Sequence, residues 1–271
     1  MIRDAMTQSP RRHRPRFFGA ERRVFRAPPD VSYQYAQTAI PTLNQELREL
    51  MRSGVTRICD VGGGANPVAP VEEIEHLGIE YVVLDASVEE VAKAPPGYDS
   101  VLTDIDDYAA VERLVAERGT FDVVVSRWTA EHVPRGRRFH AHIHRLLRPA
   151  GTALHLFPTL FSPVFALNRV LPPRITALVV PHVDRSGREP EGPHATFRPY
   201  YSWCRGPTRR QLERLTVVGF TVRRYVGFFG HPYYARVRPL HDLSTGLSHW
   251  LVRHPVPALT SYALVVLERR P

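Results

Sequence analysis

The chain has 271 residues, enough to bury a full core as one domain, or as one domain with a cap. Its apolar fraction of 43% and charged fraction of 23% are those of an ordinary globular protein, which excludes a disordered or fibrous chain. The net charge of +9 is almost wholly arginine, Lys93 being the single lysine; a solvated arginine-rich exterior accounts for it, and charge alone argues only weakly for a nucleic-acid partner.

Two cysteines, Cys59 and Cys204, give neither a disulfide framework nor zinc-ligand spacing, so a reducing, cytoplasmic setting is expected. No apolar run approaches the roughly 20 residues of a membrane span. The basic N-terminus lacks the apolar core of a secretory signal.

Residues 1–29 are arginine-rich, broken by prolines and without period, as expected of a mobile arm. Such an arm either stays disordered, or folds over an active site or contacts an anionic partner. A single domain, 30–271, is expected after it. Tyr33 and Tyr35 precede a helical pattern from Ala36 to Arg52, with Ile40, Leu43, Leu47, Leu50 and Met51 on one face. A strand, Val55 to Val61, then runs into Gly62-Gly63-Gly64. Three glycines let the backbone bend sharply and approach a ligand. Asp60, the last polar group of the strand, should point at whatever lies over the turn. A dinucleotide fingerprint counted from Gly62 would need its third glycine at Pro67.

A short helix, Pro70 to Leu77, is closed by Gly78. The second strand, Glu80 to Asp85, ends in an acid about 23 residues beyond the first glycine. A carboxylate there can hold both ribose hydroxyls of a nucleoside, in either of two cofactor classes; otherwise it caps the next helix. A third strand, Ser100 to Thr103, leads to Asp104-Ile105-Asp106-Asp107. Asp106 and Asp107 suit the start of the helix Tyr108 to Arg118. The fourth strand, Phe121 to Ser126, is followed by Arg127-Trp128-Thr129-Ala130-Glu131-His132-Val133. A helix, Arg135 to Leu147, leads through Leu147-Arg148-Pro149-Ala150-Gly151 to a fifth strand, Thr152 to Phe157. A helix, Thr208 to Val218, and two strands, Phe220 to Phe229 and Tyr262 to Glu268, complete the chain.

The D-x-G-x-G spacing of Asp60, Gly62 and Gly64 resembles motif I of the class I S-adenosylmethionine (SAM)-dependent methyltransferases; Asn66 stands where that family often has a third glycine. The run F-D-V-V-V-S followed by E-H-V resembles motif IV of the small-molecule members, of the methyltransferase type 11 and quinone-methyltransferase kind. L-R-P-A-G resembles the turn before their fifth strand, with Ala150 for one glycine. The resemblance covers residues 55–157 well, the expected SAM-binding core, and the last strands loosely. It implies a Rossmann-like α/β fold. Its seven-stranded sheet would hold five parallel βα units and a C-terminal antiparallel pair, with helical substrate-cap insertions.

The resemblance also implies cofactor contacts. Asp60 orients the methionine ammonium, Gly62, Gly63 and Gly64 admit that portion, and Asp85 with Ala86 holds the ribose. Asp104 and Ile105 take the adenine, and Ser126 and Arg127 close the set at the fourth strand. A catalytic base, where one is needed, falls on His132 or Glu131. Some quinone-type relatives add a carboxylate three residues before the Glu-His pair and bind a metal; this chain has Trp128 there, so no metal is expected.

Two segments, 158–207 and 231–257, fit variable substrate caps. The first carries a polar loop, Gly187 to His194, and aromatic residues from Phe197 to Trp203; the second carries Tyr233, Tyr234, His241, His249 and Trp250. Tyr33, Trp128, Tyr200, Tyr201, Trp203 and Tyr233 are the candidate acceptor contacts, since aromatics at a site mouth suit a flat or apolar molecule. They suit the core of a lid equally well. Leu247, Trp250, Leu251 and Val252 would permit peripheral membrane contact. His140, His142 and His144 are expected on a solvated helix face rather than as metal ligands.

The resulting expectation is methyl transfer to a small organic acceptor, a secondary metabolite, quinone or lipid-like compound, with oxygen favoured. The alternatives are an RNA or protein methyltransferase using the basic arm, and a SAM-binding protein without methyl transfer.

Overall fold

A computed structural model describes residues 29–161, 198–231 and 238–271. The arm except Pro29, the loop Gly187 to His194, Phe197, Tyr233 and Tyr234 lie outside the described residues.

The elements in chain order are β1 (Asp30–Tyr35), a 3-10 turn (Ala36–Thr38), α1 (Ala39–Arg52), β2 (Arg57–Val61), α2 (Val71–Leu77), β3 (Glu80–Asp85), α3 (Val88–Ala92), β4 (Asp99–Leu102), α4 (Tyr108–Arg118), β5 (Phe121–Arg127), a 3-10 turn (Ala130–His132), α5 (Gly136–Leu146), β6 (Leu147–Pro158), α6 (Arg209–Val218), β7 (Phe220–Phe229), α7 (Arg238–Arg253), a 3-10 turn (Pro257–Leu259) and β8 (Tyr262–Arg269). They build one eight-stranded sheet in the order β1-β7-β8-β6-β5-β2-β3-β4. β2 to β6 run parallel, and β8 is antiparallel to both β6 and β7. This is the expected Rossmann-like α/β sheet with its C-terminal antiparallel pair.

An eighth strand is added to the seven expected. β1 pairs parallel to β7, Ser32 opposite Val226, and covers what would be an open edge. Val31 and Ser32 are buried by that pairing. Tyr33 and Tyr35 therefore sit on a strand, two residues apart on the same face.

The central strands are apolar on both sides because helices cover both sides. One layer packs Phe121, Phe139, Ile143, Leu215 and Tyr225 together; the other packs Leu43, Leu47, Ile58, Val83 and Phe228. α1 lays Leu43, Leu47 and Met51 onto the second layer. The chain goes from β2 outward to β3 and β4, then returns to β5 on the other side of β2. That reversal leaves a crevice at the carboxyl ends of β2 and β5, where open α/β sheets take their ligands.

Two local readings are corrected. The histidines of α5 are not on a solvated face. His140 and His142 are buried, at 2% and 6% exposure. His140 is enclosed by His155 and Trp203, and His142 by Tyr108 and the Ile105 carbonyl on another side of the helix. Asp106 does not serve the start of α4. Asp107 caps that helix through the amides of Ala109 and Ala110, while the buried Asp106 carboxylate accepts two guanidinium N–H groups from Arg135.

Candidate functional site

The glycine turn is stitched to the sheet by the Gly62 N–H, which donates to Leu84 O at 2.6 Å. Gly62 and Gly64 have positive φ, +77° and +36°. The space beside all three glycines is occupied by the protein itself. A Cβ on Gly62 would stand 2.5 Å from Thr129 Cγ2, one on Gly63 2.8 Å from the Asp60 carboxylate, and one on Gly64 2.7 Å from Asp85 Oδ2. The glycines therefore leave room for these three side chains beside the turn. Thr129, which donates to Val61 O at 3.0 Å, was not among the expected residues. No spacing rule marks it, because only the fold brings the end of β5 over the end of β2.

Asp60 is fully buried beneath the turn. Its Oδ2 accepts from the Val68 N–H at 2.7 Å and from the Tyr81 hydroxyl at 2.8 Å. Its Oδ1 has no hydrogen-bond partner among the described residues. Burial pushes this carboxyl up to about 6, against the pull of those two hydrogen bonds and of Arg127. The Arg127 guanidinium reaches over the turn to Asn66 O at 3.0 Å.

Asp85, at the end of β3, is half-buried, and burial raises its pKa. Its Oδ1 accepts from the Ser87 N–H at 2.9 Å, while Ser87, not Asp85, caps α3. Ala86 beside it is exposed. Asp104 is exposed and accepts from the Asp106 N–H at 2.8 Å. Ile105 is buried, and its carbonyl accepts from His142 Nδ1 at 2.6 Å, so α5 braces the loop after β4. Ser126 points inward. It is fully buried and pairs with His155 Nδ1 at 2.8 Å.

The structure thus brings Asp60, the glycines, Asp85, Asp104 and Arg127 to one edge. SAM presents an ammonium, ribose hydroxyls and an adenine amino group, all of them donors. Three carboxylates at strand ends, one with a buried oxygen left without a hydrogen-bond partner, are a matching set of acceptors.

The candidate bases lie beside the loop at 198–206. Glu131 is buried, and its carbonyl accepts from the Tyr200 and Tyr201 amides at 2.7 and 3.0 Å. His132 Nε2 is 3.8 Å from Glu131 Oε1. Trp203 packs against the His140 ring at 5.7 Å, under the Arg214 guanidinium. Tyr201 packs on the core, Tyr200 is exposed, and Tyr33 stacks on Phe229 at 5.7 Å.

A cavity of about 600 Å³ opens at the same edge of the sheet, beside Trp128. Trp128, Phe229, Tyr262, Ile40 and Pro41 give it an apolar wall, and Tyr35, His231, His241, Ser244 and His249 a polar one. Of the expected acceptor contacts among the described residues, Trp128 alone lines it. Trp128 has φ +57°, a left-handed backbone that costs a non-glycine residue roughly 1–2 kcal/mol. The strain turns the indole against Tyr262, 5.1 Å between ring centres.

Residues 59–155 match the family model described as a methyltransferase domain. No curated protein matches the chain. Among solved structures, a chain of the complex between the Haloferax volcanii Trm112 methyltransferase activator and a methyltransferase aligns at 13% identity. It covers 87% of this chain and 97% of that one, with a TM-score of 0.50. A SAM-dependent methyltransferase from Archaeoglobus fulgidus aligns at 13% identity, 85% and 94% coverage and a TM-score of 0.49. The N-methyltransferase NodS from Bradyrhizobium japonicum, in complex with S-adenosylhomocysteine, aligns at 14%, with 85% and 87% coverage and a TM-score of 0.47. The chain has the class I methyltransferase fold, and its residues 59–155 carry a match to the methyltransferase domain.

Proposed function

We propose that the chain transfers a methyl group from SAM to a small organic acceptor held in the cavity beside Trp128. The acceptor class is a secondary metabolite, quinone or lipid-like compound, with oxygen as the favoured atom. The observation that carries this is the cavity itself. It is large enough for a small molecule, apolar and aromatic on one wall, and adjoins the acidic crevice.

SAM supplies a methyl group already made electrophilic by its sulfonium. The protein has to hold the two molecules in line, exclude water and take a proton. In this reading Asp60 Oδ1 accepts from the methionine ammonium and Asp85 from the ribose. Asp104 and the Ile105 backbone receive the adenine. Trp128, whose neighbour Thr129 stands against Gly62, sits where crevice and cavity meet, so that the methyl group faces the acceptor.

Glu131 and His132 do not line the cavity. His241 and His249 do, and they are the bases available to an acceptor inside it. His249 Nδ1 lies 3.0 Å from the Tyr35 hydroxyl. When Nδ1–H donates to that oxygen, Nε2 keeps its lone pair for a proton from the acceptor. His231 is held neutral, at about 4, by burial and by neighbouring His241.

The test is transfer of labelled methyl from SAM to a panel of phenols, quinols, amines and hydroxylated lipids, with transfer RNA and protein in parallel. Label in a small molecule is expected. Label confined to RNA or protein contradicts the acceptor class, and label in none of them contradicts methyl transfer.

A further inference from the structure

α7 is a 16-residue helix that forms one border of the cavity. Ser248 and Leu251 on its inner side are buried. Its exposed surface carries His241, Asp242, Thr245 and His249, and along one flank it is apolar. Leu243 is 71% exposed, Leu247 45% and Trp250 53%. At about 100° per residue these three fall within roughly 60° of arc, one continuous apolar stripe. Exposed arginines stand at both helix ends, Arg238 and Arg253, and Asp242 is the one acid of the helix. Ile40 lines the cavity and is 41% exposed, so the opening itself has an apolar lip. Val256, just beyond the helix, is also exposed.

We propose that α7 is an interfacial helix, whose Leu243–Leu247–Trp250 stripe seats the mouth of the cavity on an anionic membrane surface. Leucine and tryptophan enter the boundary between headgroups and acyl chains, while the arginines meet anionic headgroups. Tryptophan is the side chain best suited to that depth, being apolar with one polar edge. A second copy of the chain fits less well. A stable protein interface engages roughly 20–30 residues a side, which a three-residue stripe does not supply. A helix lying in a membrane surface needs only one apolar face. The helix is too short and too polar to span, and no described helix is long and apolar enough to do so. Resting on the acceptor reading of the cavity, the same geometry narrows the acceptor to a lipid-like molecule that enters from the bilayer.

The experiment is flotation of the full chain with phosphatidylcholine vesicles, with and without phosphatidylglycerol. Variants Leu247→Glu and Trp250→Ala are compared with Val217→Glu, an exposed position on α6 at 76%. SAM titration of each variant reports separately on the cofactor site. The expected result is flotation with the anionic vesicles, a loss of partitioning of about tenfold in Leu247→Glu, a smaller loss in Trp250→Ala and none in Val217→Glu. The proposal is overturned if the wild type does not float. It is also overturned if Leu247→Glu floats as well as wild type, which would assign binding to cations elsewhere. A change of Leu247→Glu from dimer to monomer, without flotation of the wild type, would assign the stripe to a second copy. None of these readouts depends on methyl transfer, so failure here leaves the catalytic reading standing.

Discussion

The two halves of the carboxyl edge are built on different rules. The half proposed for the cofactor, over β2, β3 and β4, gathers carboxylates and glycines from 60–64, 85 and 104. The half proposed for the acceptor, over β1, β7 and β8, gathers rings and imidazoles from residues as distant as Tyr35 and Tyr262. A ligand with fixed donors can be met by fixed acceptors at strand ends. A cavity is a shape, and many side chains can make it. The difference teaches where specificity resides. Changes on the first side should alter donor binding, and changes on the second should alter acceptor turnover alone.

The largest effect is expected at Gly62. Gly62→Ala places a Cβ against Thr129 at positive φ. It should lower unfolding free energy by about 3–4 kcal/mol in a denaturant titration. A change below about 1 kcal/mol would show that the turn is looser than Thr129 makes it.

Next is acid sensitivity. His140 is buried and its pKa is lowered to about 3 by desolvation. Its folded pKa lies below the unfolded value, so the unfolded chain binds the extra proton first. Stability is fully present above about 6.5 and is lost as pH falls from there, about 2 kcal/mol by pH 5 from this group alone. His140→Phe should flatten that slope. Asp60 acts with the opposite sign. Its raised pKa, about 6, costs stability as pH rises from about 4 through 6. Asp60→Asn should thus stabilise the chain at pH 8 while weakening SAM binding. A steeper acid slope in His140→Phe would contradict the assignment.

Asp85→Ala should weaken SAM about tenfold, by calorimetry, through lost charge-assisted hydrogen bonds. Unchanged affinity would remove Asp85 from the site. The smallest effect sharpens the contrast most. Ile40→Trp narrows the cavity and should raise the acceptor KM roughly five-fold, with SAM affinity within about twofold of wild type. If it weakens SAM as much as Asp85→Ala does, the two halves are one compartment.

The placing of the acidic residues at strand ends was largely legible in the sequence because strand-turn-helix chemistry is local. Asp60, the glycines and Asp85 lie at ends of strands whose bounds follow from apolar runs and Gly78 or Gly119. The cavity half was legible only at Trp128, His241 and His249. Tyr35, Trp128, Phe229 and His249 meet only when β1 adds beside β7, and no period in residues 30–35 announces a parallel partner two hundred positions away. Tyr201 and Trp203 were read as acceptor contacts from aromaticity alone, but they pack over the core and α5. The α5 histidines misled for the same reason. An H-x-H-x-H run looks polar, yet a neutral imidazole is buried readily once a core ring such as Phe139 and a neighbour such as Trp203 enclose it.

The central claim is that the acidic crevice takes SAM, and calorimetric titration of the full chain tests it most directly. SAM and S-adenosylhomocysteine should both bind, and NAD run alongside should not. Binding of NAD alone, or of none of the three, would contradict the account.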